Sequence, residues 1–181
     1  MIEAPFKPIR IFSDIVDSTD AQNEYHSLYS DLQSRGLIKG KDMDTDYYST
    51  TDEEFAYRME RWNNFLFKHM MNPLKKFMLE FSIPDLQFRE VWTQRTNKLQ
   101  MHHPHTHGDV GWSFVWYIDV DPTVHKATVF YSPNPSEEDI FEPKIEKGKL
   151  MIWPSYLLHY QPPSNSDVDR YIISGNIEEI R

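Results

Sequence analysis

Four of the eight histidines in this 181-residue chain fall within six residues, at positions 102, 103, 105 and 107. Neutral imidazole is the commonest protein ligand for iron, zinc and copper. If the segment is extended, its side chains alternate between two sides, so that His103, His105 and His107 share one side. Asp109 adds a carboxylate at the same spacing. The segment therefore predicts a metal site; the alternative is a solvent-exposed histidine-rich loop.

A distant histidine, His159, follows the apolar run Gly148–Trp153 and a short turn. A strand that leads into a turn can present such a side chain to the interior of a β-sandwich. Two histidines and one carboxylate form the facial triad of non-haem iron sites, which leaves coordination positions open for substrate and oxygen. We therefore expect one metal ion, bound by the segment His105–Asp109 and by His159.

Arg170 opens an apolar run, Tyr171 to Ile173, that is typical of a buried strand. A buried charge without a partner is costly, so this arginine needs one. A bound carboxylate would supply it, and Ser174 alternates to the same face, where its hydroxyl can donate a further hydrogen bond. The alternative is an ordinary ion pair with Asp167 or Asp169.

The N-terminal half of the chain has helical patterns. Residues 6–16 favour an opening strand, and residues 20–37 favour a helix that ends near a glycine. Apolar residues at helical spacing between Phe55 and Phe81 predict a second helix. Pro73 must kink or split it, because proline lacks the amide hydrogen and clashes with the preceding turn.

From Leu86 onward, short β-type runs alternate with turn residues, a pattern typical of a sandwich or jelly roll. We therefore predict one mainly β domain over residues 1–181, in which the helices of residues 1–85 pack against a β core formed by residues 86–181. The predicted strands are Leu86–Trp92, Leu99–His103, Trp112–Val120, Lys126–Tyr131, Gly148–Trp153, Leu157–Gln161 and Tyr171–Ile177.

The composition excludes several classes of protein. A net charge of −9 argues against a nucleic-acid-binding protein, which needs clustered lysine and arginine. The absence of cysteine excludes disulfides and thiolate metal sites. There is neither a signal-peptide pattern nor an apolar run of the roughly 18 residues that a membrane helix needs. We therefore expect a soluble, cytoplasmic protein without a nucleic-acid or membrane partner.

Three motifs resemble the iron(II)- and 2-oxoglutarate-dependent oxygenases, especially the small members common in marine bacteria and their phages. Pro104–His107, followed by Trp112–Ile118, is similar to the family's paired histidines and the strand after them. Trp153–His159 is similar to its second histidine motif, and Arg170–Asn176 to its closing arginine motif, which prolyl hydroxylases share. The resemblance covers roughly residues 88–177, about half of the chain.

The resemblance implies a double-stranded β-helix, or jelly-roll, fold with iron(II) as the metal and 2-oxoglutarate as the cosubstrate. At the His-x-Asp spacing of the wider superfamily, the metal ligands would be His107, Asp109 and His159. The alternative set is His105, His107 and His159, a site of three histidines. Phe114 stands where the family usually has glycine, which would narrow or reshape the pocket.

The resemblance also implies how the cosubstrate is held and what the protein does. Arg170 would pair with the far carboxylate of 2-oxoglutarate, helped by Ser174 and by the hydroxyl of Tyr117. The expected activity is hydroxylation by O2 of a small-molecule or peptide substrate, in a monomer or homodimer. Two other functions fit the same residues: a cupin-like metal protein that does not use 2-oxoglutarate, and a non-catalytic interaction protein on the same fold.

Overall fold

The computed structural model describes residues 8–16, 18–40, 43–109, 111–133 and 140–180. Within these residues the chain forms three helices and ten strands. The helices are α1 (Thr19–Ser34), α2 (Asp52–His69) and α3 (Met71–Phe81). The strands are β1 (Phe12–Ile15), β2 (Asp44–Thr45), β3 (Leu86–Thr96), β4 (His102–His105), β5 (Trp112–Asp119), β6 (Val129–Tyr131), β7 (Ile140–Phe141), β8 (Lys149–Pro154), β9 (His159–Gln161) and β10 (Arg170–Glu179).

The strands form two antiparallel sheets. The larger has the order β1-β8-β5-β10-β3-β2, and the smaller has the order β4-β9-β6-β7. Buried apolar side chains from both sheets form one core cluster between them, including Val115 and Tyr117 from the larger sheet and Phe130 from the smaller. The predicted mainly β jelly-roll architecture, a double-stranded β-helix with flanking helices, is confirmed.

The three helices cover the outer face of the larger sheet. Trp62 and Phe65 of α2 are fully buried, and the ring of Phe65 stacks on Trp116 of β5 with 5.5 Å between centroids. Tyr25 of α1 stacks on Trp62 at 5.8 Å. Because the helices bury one face of this sheet, its other face is left to meet the smaller sheet. Among the described residues, no helix is both long and apolar enough to cross a membrane.

Both predicted helical segments are present. Ser18 begins α1, where its hydroxyl accepts a hydrogen bond from the Ala21 amide, and Thr51 does the same for α2. The predicted interruption at Pro73 separates α2 from α3 at Met70. Pro73 then lies in the first turn of α3, where a missing amide hydrogen costs nothing.

The strands follow the predicted runs but differ at their ends. β6 and β9 begin at Val129 and His159, three and two residues later than predicted. β3 continues to Thr96, beyond the predicted end at Trp92. The run predicted from Leu99 begins only at His102, because Leu99 adopts a positive φ of 62° that an extended strand cannot contain. β2 and β7 were not predicted, since two residues show no periodicity. The opening strand covers Phe12–Ile15, and residues 6 and 7 of the predicted segment lie outside the described residues.

A buried carboxylate joins α2, β2 and β3. Asp46 is 1% exposed and accepts hydrogen bonds from Trp62 Nε1 at 2.6 Å and from the Thr93 amide at 2.8 Å. The Arg58 guanidinium donates to the Asp46 carbonyl at 2.6 Å. Burial raises the pKa of Asp46 to about 6. These bonds fix the larger sheet against its helical cover.

We predict that Trp62→Phe destabilises the fold, because it leaves a buried carboxylate oxygen without a donor and removes packed volume. The expected loss is about 2–4 kcal/mol in the free energy of unfolding, measured by urea denaturation. Leu79→Ala is the control, since Leu79 is 83% exposed. It should change stability by no more than about 0.5 kcal/mol. Equal losses for the two variants would contradict the role given to Asp46.

Candidate active site

Three histidines come together at one end of the space between the sheets. The potential ligand atoms of His105, His107 and His159 all lie within 4.8 Å of one another. His105 ends β4 and is paired in register with His159, which begins β9. His107 follows two residues after β4, and its amide donates to the Ser155 carbonyl at 2.9 Å. The group is therefore built from two strand ends and a loop tied to the turn after β8.

Hydrogen bonds set the tautomer of the two strand-end histidines. His105 Nδ1 lies 2.7 Å from the carbonyl oxygen of His103, and His159 Nδ1 lies 2.8 Å from that of Leu157. A carbonyl only accepts, so in each ring Nδ1 carries the proton and donates it. The lone pair is then on Nε2, which is the arrangement a metal-binding imidazole needs.

His107 is oriented from the other sheet. Its Nδ1 lies 2.6 Å from Asn176 Oδ1, which also accepts a hydrogen bond from Ser113 Oγ at 3.0 Å. His107 therefore also donates through Nδ1 and keeps its lone pair on Nε2. The Nε2 atoms of His107 and His105 are 3.2 Å apart. Two lone pairs facing each other at this distance repel, and a cation between them would remove the repulsion.

Burial keeps these imidazoles neutral. It lowers the pKa of His105 and of His107, and it lowers the pKa of His159 to about 3. The neighbouring His102 ring lies 4.0 Å from that of His105, and burial lowers the pKa of His102 to about 4. At neutral pH all four rings are therefore uncharged and offer lone pairs.

Asp109 does not join this group. Its side chain is exposed, and it lies in a turn in which Gly108 has a φ of 72°. The two-residue alternation that would carry His107 and Asp109 to one side holds only in extended backbone, and it ends at this glycine. The structure thus brings together the alternative set of His105, His107 and His159 and leaves the preferred carboxylate outside.

The buried arginine has free hydrogen-bond donors. Arg170 is 2% exposed, and its Nη2 donates to Gln161 Oε1. Its Nε and Nη1 have no partner among the described residues. Burial lowers the pKa of Arg170 to about 10, which still leaves it charged at neutral pH. A buried cation with unused N–H groups calls for an anion.

The nearby carboxylates do not provide that anion. Asp169 pairs with Arg95 at 2.9 Å, and Asp167 lies 3.7 Å from Lys98. The expected alternative, in which Arg170 pairs with Asp167 or Asp169, is therefore not observed. The partner of Arg170 must come from elsewhere.

Ser174 and Tyr117, the other two residues predicted to bind the cosubstrate, differ in their position and in their hydrogen bonds. Ser174 and Arg170 both lie on β10 and line the same inner cavity. Tyr117 is fully buried; its hydroxyl accepts from the Thr128 amide at 2.7 Å and donates to Thr128 Oγ1 at 3.0 Å. Tyr117 therefore already uses its one hydroxyl proton.

An inner cavity joins the histidines to the arginine. His105, His107 and His159 line it at one end, and Arg170 lines it as well. Its volume is about 30 Å³, so a bound dicarboxylate needs side chains along it to move, as rotamers commonly do on binding. Its other lining residues are Trp92, Gln94, His102, Phe114, Val115, Thr128, Trp153, Gln161, Ile172 and Ser174.

An outer groove of about 820 Å³ shares its floor with this cavity. The shared residues include Trp92, Gln94 and His102. Tyr47 and Tyr48, 44% and 60% exposed, form part of its wall. A ligand in the groove would lie beside the three histidines. The donor set as a whole suits a transition metal held by imidazole, together with a carboxylate-bearing ligand held by arginine.

A family model described as "Putative 2OG-Fe(II) oxygenase" matches residues 90–176. This range contains the three histidines, Asn176 and Arg170. This segment, which carries the candidate site, belongs to the 2OG-Fe(II) oxygenase family. The predicted family is thereby confirmed, and with it iron(II) and 2-oxoglutarate as the cofactor and cosubstrate.

Solved structures share the fold of this oxygenase at low identity. A prolyl-4-hydroxylase from Pseudomonas putida is 10% identical, with 96% of this chain and 94% of that chain covered and a TM-score of 0.59. HygX from Streptomyces hygroscopicus, with nickel and 2-oxoglutarate bound, is 10% identical, with 96% and 86% covered and a TM-score of 0.61. The epimerase SnoN from nogalamycin biosynthesis is 12% identical, with 94% and 78% covered and a TM-score of 0.64. No curated protein matches the sequence.

Four polar residues of the site were not predicted to act there. Asn176 orients His107, Gln161 contacts Arg170, Thr128 contacts Tyr117, and Gln94 lines both the cavity and the groove. Strand alternation could have indicated Gln161, since it lies two residues after His159 on one strand.

We predict that the buried histidines make the metal-free oxygenase acid-sensitive. The folded-state pKa of His159 is about 3, below its unfolded value of about 6.5, so the folded chain binds fewer protons between these values. The stability from this group is complete above about pH 6.5 and is lost as pH falls. From about pH 7 to 5, wild type should lose about 1–2 kcal/mol more than His159→Gln, measured by urea unfolding in chelator.

Wild type is compared with His159→Gln because the titration of Asp46 changes stability with pH in the opposite direction. Its raised pKa gives stability at low pH that is lost as pH rises through about 6. This contribution is common to wild type and His159→Gln and therefore cancels in the difference. Parallel stability curves for the two proteins would contradict the prediction.

Proposed function

We propose that this oxygenase binds iron(II) through His105, His107 and His159, binds 2-oxoglutarate through Arg170, and hydroxylates a peptide or small-molecule substrate in the outer groove. One observation carries the proposal. A single cavity is lined both by three imidazoles with free lone pairs and by a buried guanidinium with unpaired donors. Neither a metal-only protein nor an inert β-sandwich requires both features.

The bound metal and cosubstrate supply the oxidation: O2 and 2-oxoglutarate are converted to succinate and CO2, and one oxygen atom is inserted into a substrate C–H bond. The chain's own contribution at the metal end is orientation. His105 and His159 are each held by a carbonyl two residues earlier, and His107 by Asn176. Such bonds fix the ring and raise the basicity of the free nitrogen.

Arg170 has a different task at the other end of the cavity. Its charge is retained at neutral pH, and a charge-assisted bond to a carboxylate is strong where water is excluded. Trp153 and Ile172 form apolar walls of the same cavity and are almost fully buried. Arg170 therefore selects an acid with a far carboxylate and holds its other end toward the histidines.

Support for hydroxylation, and for the kind of substrate, comes from the groove and from the fold. A volume of about 820 Å³ suits a drug-sized molecule or a short peptide segment. A prolyl hydroxylase from Trichoplax adhaerens with a similar fold holds a peptide fragment, and HygX holds hygromycin B. SnoN, an epimerase, has the same fold, so the fold alone does not choose the reaction.

The function is tested by anaerobic titration. Iron(II)-loaded protein should develop a weak visible charge-transfer band when 2-oxoglutarate is added, because the cosubstrate chelates the metal. Arg170→Lys keeps a buried cation but loses the planar donor set, and it should raise the 2-oxoglutarate Kd about tenfold or more. If iron-loaded wild type gives no band and no 2-oxoglutarate-dependent succinate, the proposed function is wrong.

The ligand set is tested by substitution. His105→Ala, His107→Ala and His159→Ala should each weaken iron(II) binding by at least about 100-fold, since each removes a nitrogen donor. Asp109→Ala is the matched control and should bind iron within about twofold of wild type, because its side chain is exposed and outside the group. If His105→Ala retains iron binding and Asp109→Ala loses it, the ligands are the facial triad of His107, Asp109 and His159.

A further inference from the structure

The way in which Arg170 is held restricts where a carboxylate can bind. Gln161 is 7% exposed, and its Nε2 donates to the backbone carbonyls of Lys126 at 3.1 Å and Pro162 at 3.0 Å. Both amide hydrogens are then used, so Oε1 is fixed in place and accepts from Arg170 Nη2. The guanidinium is thereby oriented by the smaller sheet, and its Nε and Nη1 remain free.

The hydroxyl of Tyr117 is poorly placed to join Arg170 in holding a carboxylate. A carboxylate accepts hydrogen bonds and donates none, so it needs an O–H with a free proton. The Tyr117 proton is directed to Thr128 Oγ1, and the Thr128 amide occupies a lone pair of the Tyr117 oxygen. Tyr117 is also absent from the residues that line the cavity.

The same two hydrogen bonds leave the hydroxyl proton of Thr128 unused. Thr128 Oγ1 accepts from Tyr117 and donates to no acceptor among the described residues. Thr128 is 6% exposed and lines the cavity together with Arg170 and Gln161. The Tyr117 ring lies under the guanidinium, 5.3 Å from Cζ to the ring centroid, which places Arg170 and Thr128 around one aromatic side chain.

Ser174 lies further from this end. In the sheet, Arg170 is paired with Thr96, whereas Ser174 is paired with Trp92. Four residues of strand separate the two Cα atoms by about 13 Å. Ser174 is therefore about 13 Å along the strand from Arg170 and only two residues from Asn176, which contacts His107.

On the basis of the proposed function, we propose that Thr128 donates the hydroxyl hydrogen bond to the far carboxylate of 2-oxoglutarate and that Gln161 is the positioning residue for Arg170. Tyr117 then acts through Thr128: by donating to Oγ1, it directs the threonine proton toward the cavity. Two hydrogen bonds from different partners would thus distinguish a dicarboxylic 2-oxo acid from a monocarboxylic one.

The test compares two acids of equal chain length, 2-oxoglutarate and 2-oxopentanoate, which lacks the far carboxylate. Their Kd values are measured anaerobically on iron-loaded full-length protein, and the iron(II) Kd is measured separately. Thr128→Val keeps the shape and the backbone amide but removes the hydroxyl. It should raise the 2-oxoglutarate Kd about 10- to 100-fold, the range for a hydrogen bond to a charged group. The Kd values of 2-oxopentanoate and iron(II) should stay within about twofold.

Gln161→Met and Tyr117→Phe separate positioning from direct contact. Gln161→Met, of similar size but without the acceptor, should lower the preference for 2-oxoglutarate over 2-oxopentanoate by about tenfold, again with the iron Kd unchanged. Tyr117→Phe retains the Thr128 hydroxyl and should change the 2-oxoglutarate Kd less than Thr128→Val does. Ser174→Ala is the matched hydroxyl deletion outside this end and should also have the smaller effect.

Three results would overturn the inference, and they differ from failure of the proposed function. A larger loss of 2-oxoglutarate affinity in Tyr117→Phe or Ser174→Ala than in Thr128→Val would assign the donor to that residue. Equal weakening of both acids by Gln161→Met would show a general structural role and no positioning of Arg170. Wild type that binds iron but neither acid would refute the proposed function itself, and with it this inference.

Discussion

The site depends on the burial of β10 between two neighbours. This strand is paired with β3 along its length and with β5 over most of it, so its register is fixed on both sides. Side chains at alternate positions must then point into the space between the sheets. Arg170 and Asn176 are six residues apart on that face, about 20 Å along the strand. One strand therefore sets the separation between the arginine and the histidine group.

Hydrogen bonds between the two sheets hold both ends of the site. His107, which follows β4 of the smaller sheet, is oriented by Asn176 of the larger one. Arg170, from the larger sheet, is oriented by Gln161 of the smaller one. A shift of one sheet against the other would disturb both ends together. The helical cover matters for this reason, because the buried Asp46 and Trp62 fix the larger sheet from behind.

The sequence indicated the parts of this site that follow local rules. His159 and Arg170 were identified because each lies beside an apolar β-run, and His105 and His107 because four histidines cluster in one short segment. Asp109 was predicted as a ligand by extending the alternation through Gly108, whose positive φ ends the strand geometry, and its side chain lies outside the histidine group. The fold class could also be predicted, because short β-type runs alternate with turn residues along the C-terminal half.

The remaining contacts join residues far apart in the chain, and no pattern along the sequence reports them. Thr128 and Tyr117 are hydrogen-bonded although they are eleven positions apart in the sequence. Asn176 and His107 are hydrogen-bonded across 69 positions. These pairs exist only once the two sheets have packed. Short strands are hidden for a related reason: β2 is held by its pairing with β3, while its own two residues carry no signal.

The polar groups at the two ends of the cavity lower the stability of the fold when no ligand is bound. Nε2 lone pairs of His105 and His107 face each other at 3.2 Å, and Arg170 keeps two nitrogens without partners, so the ligand-free fold carries two unfavourable arrangements. A metal relieves the first and a carboxylate the second. Because each ligand binds the folded chain and not the unfolded one, each adds stability according to its concentration and Kd. On the proposed function, the polar groups that destabilise the fold without ligands are the groups that bind iron and the dicarboxylic 2-oxo acid.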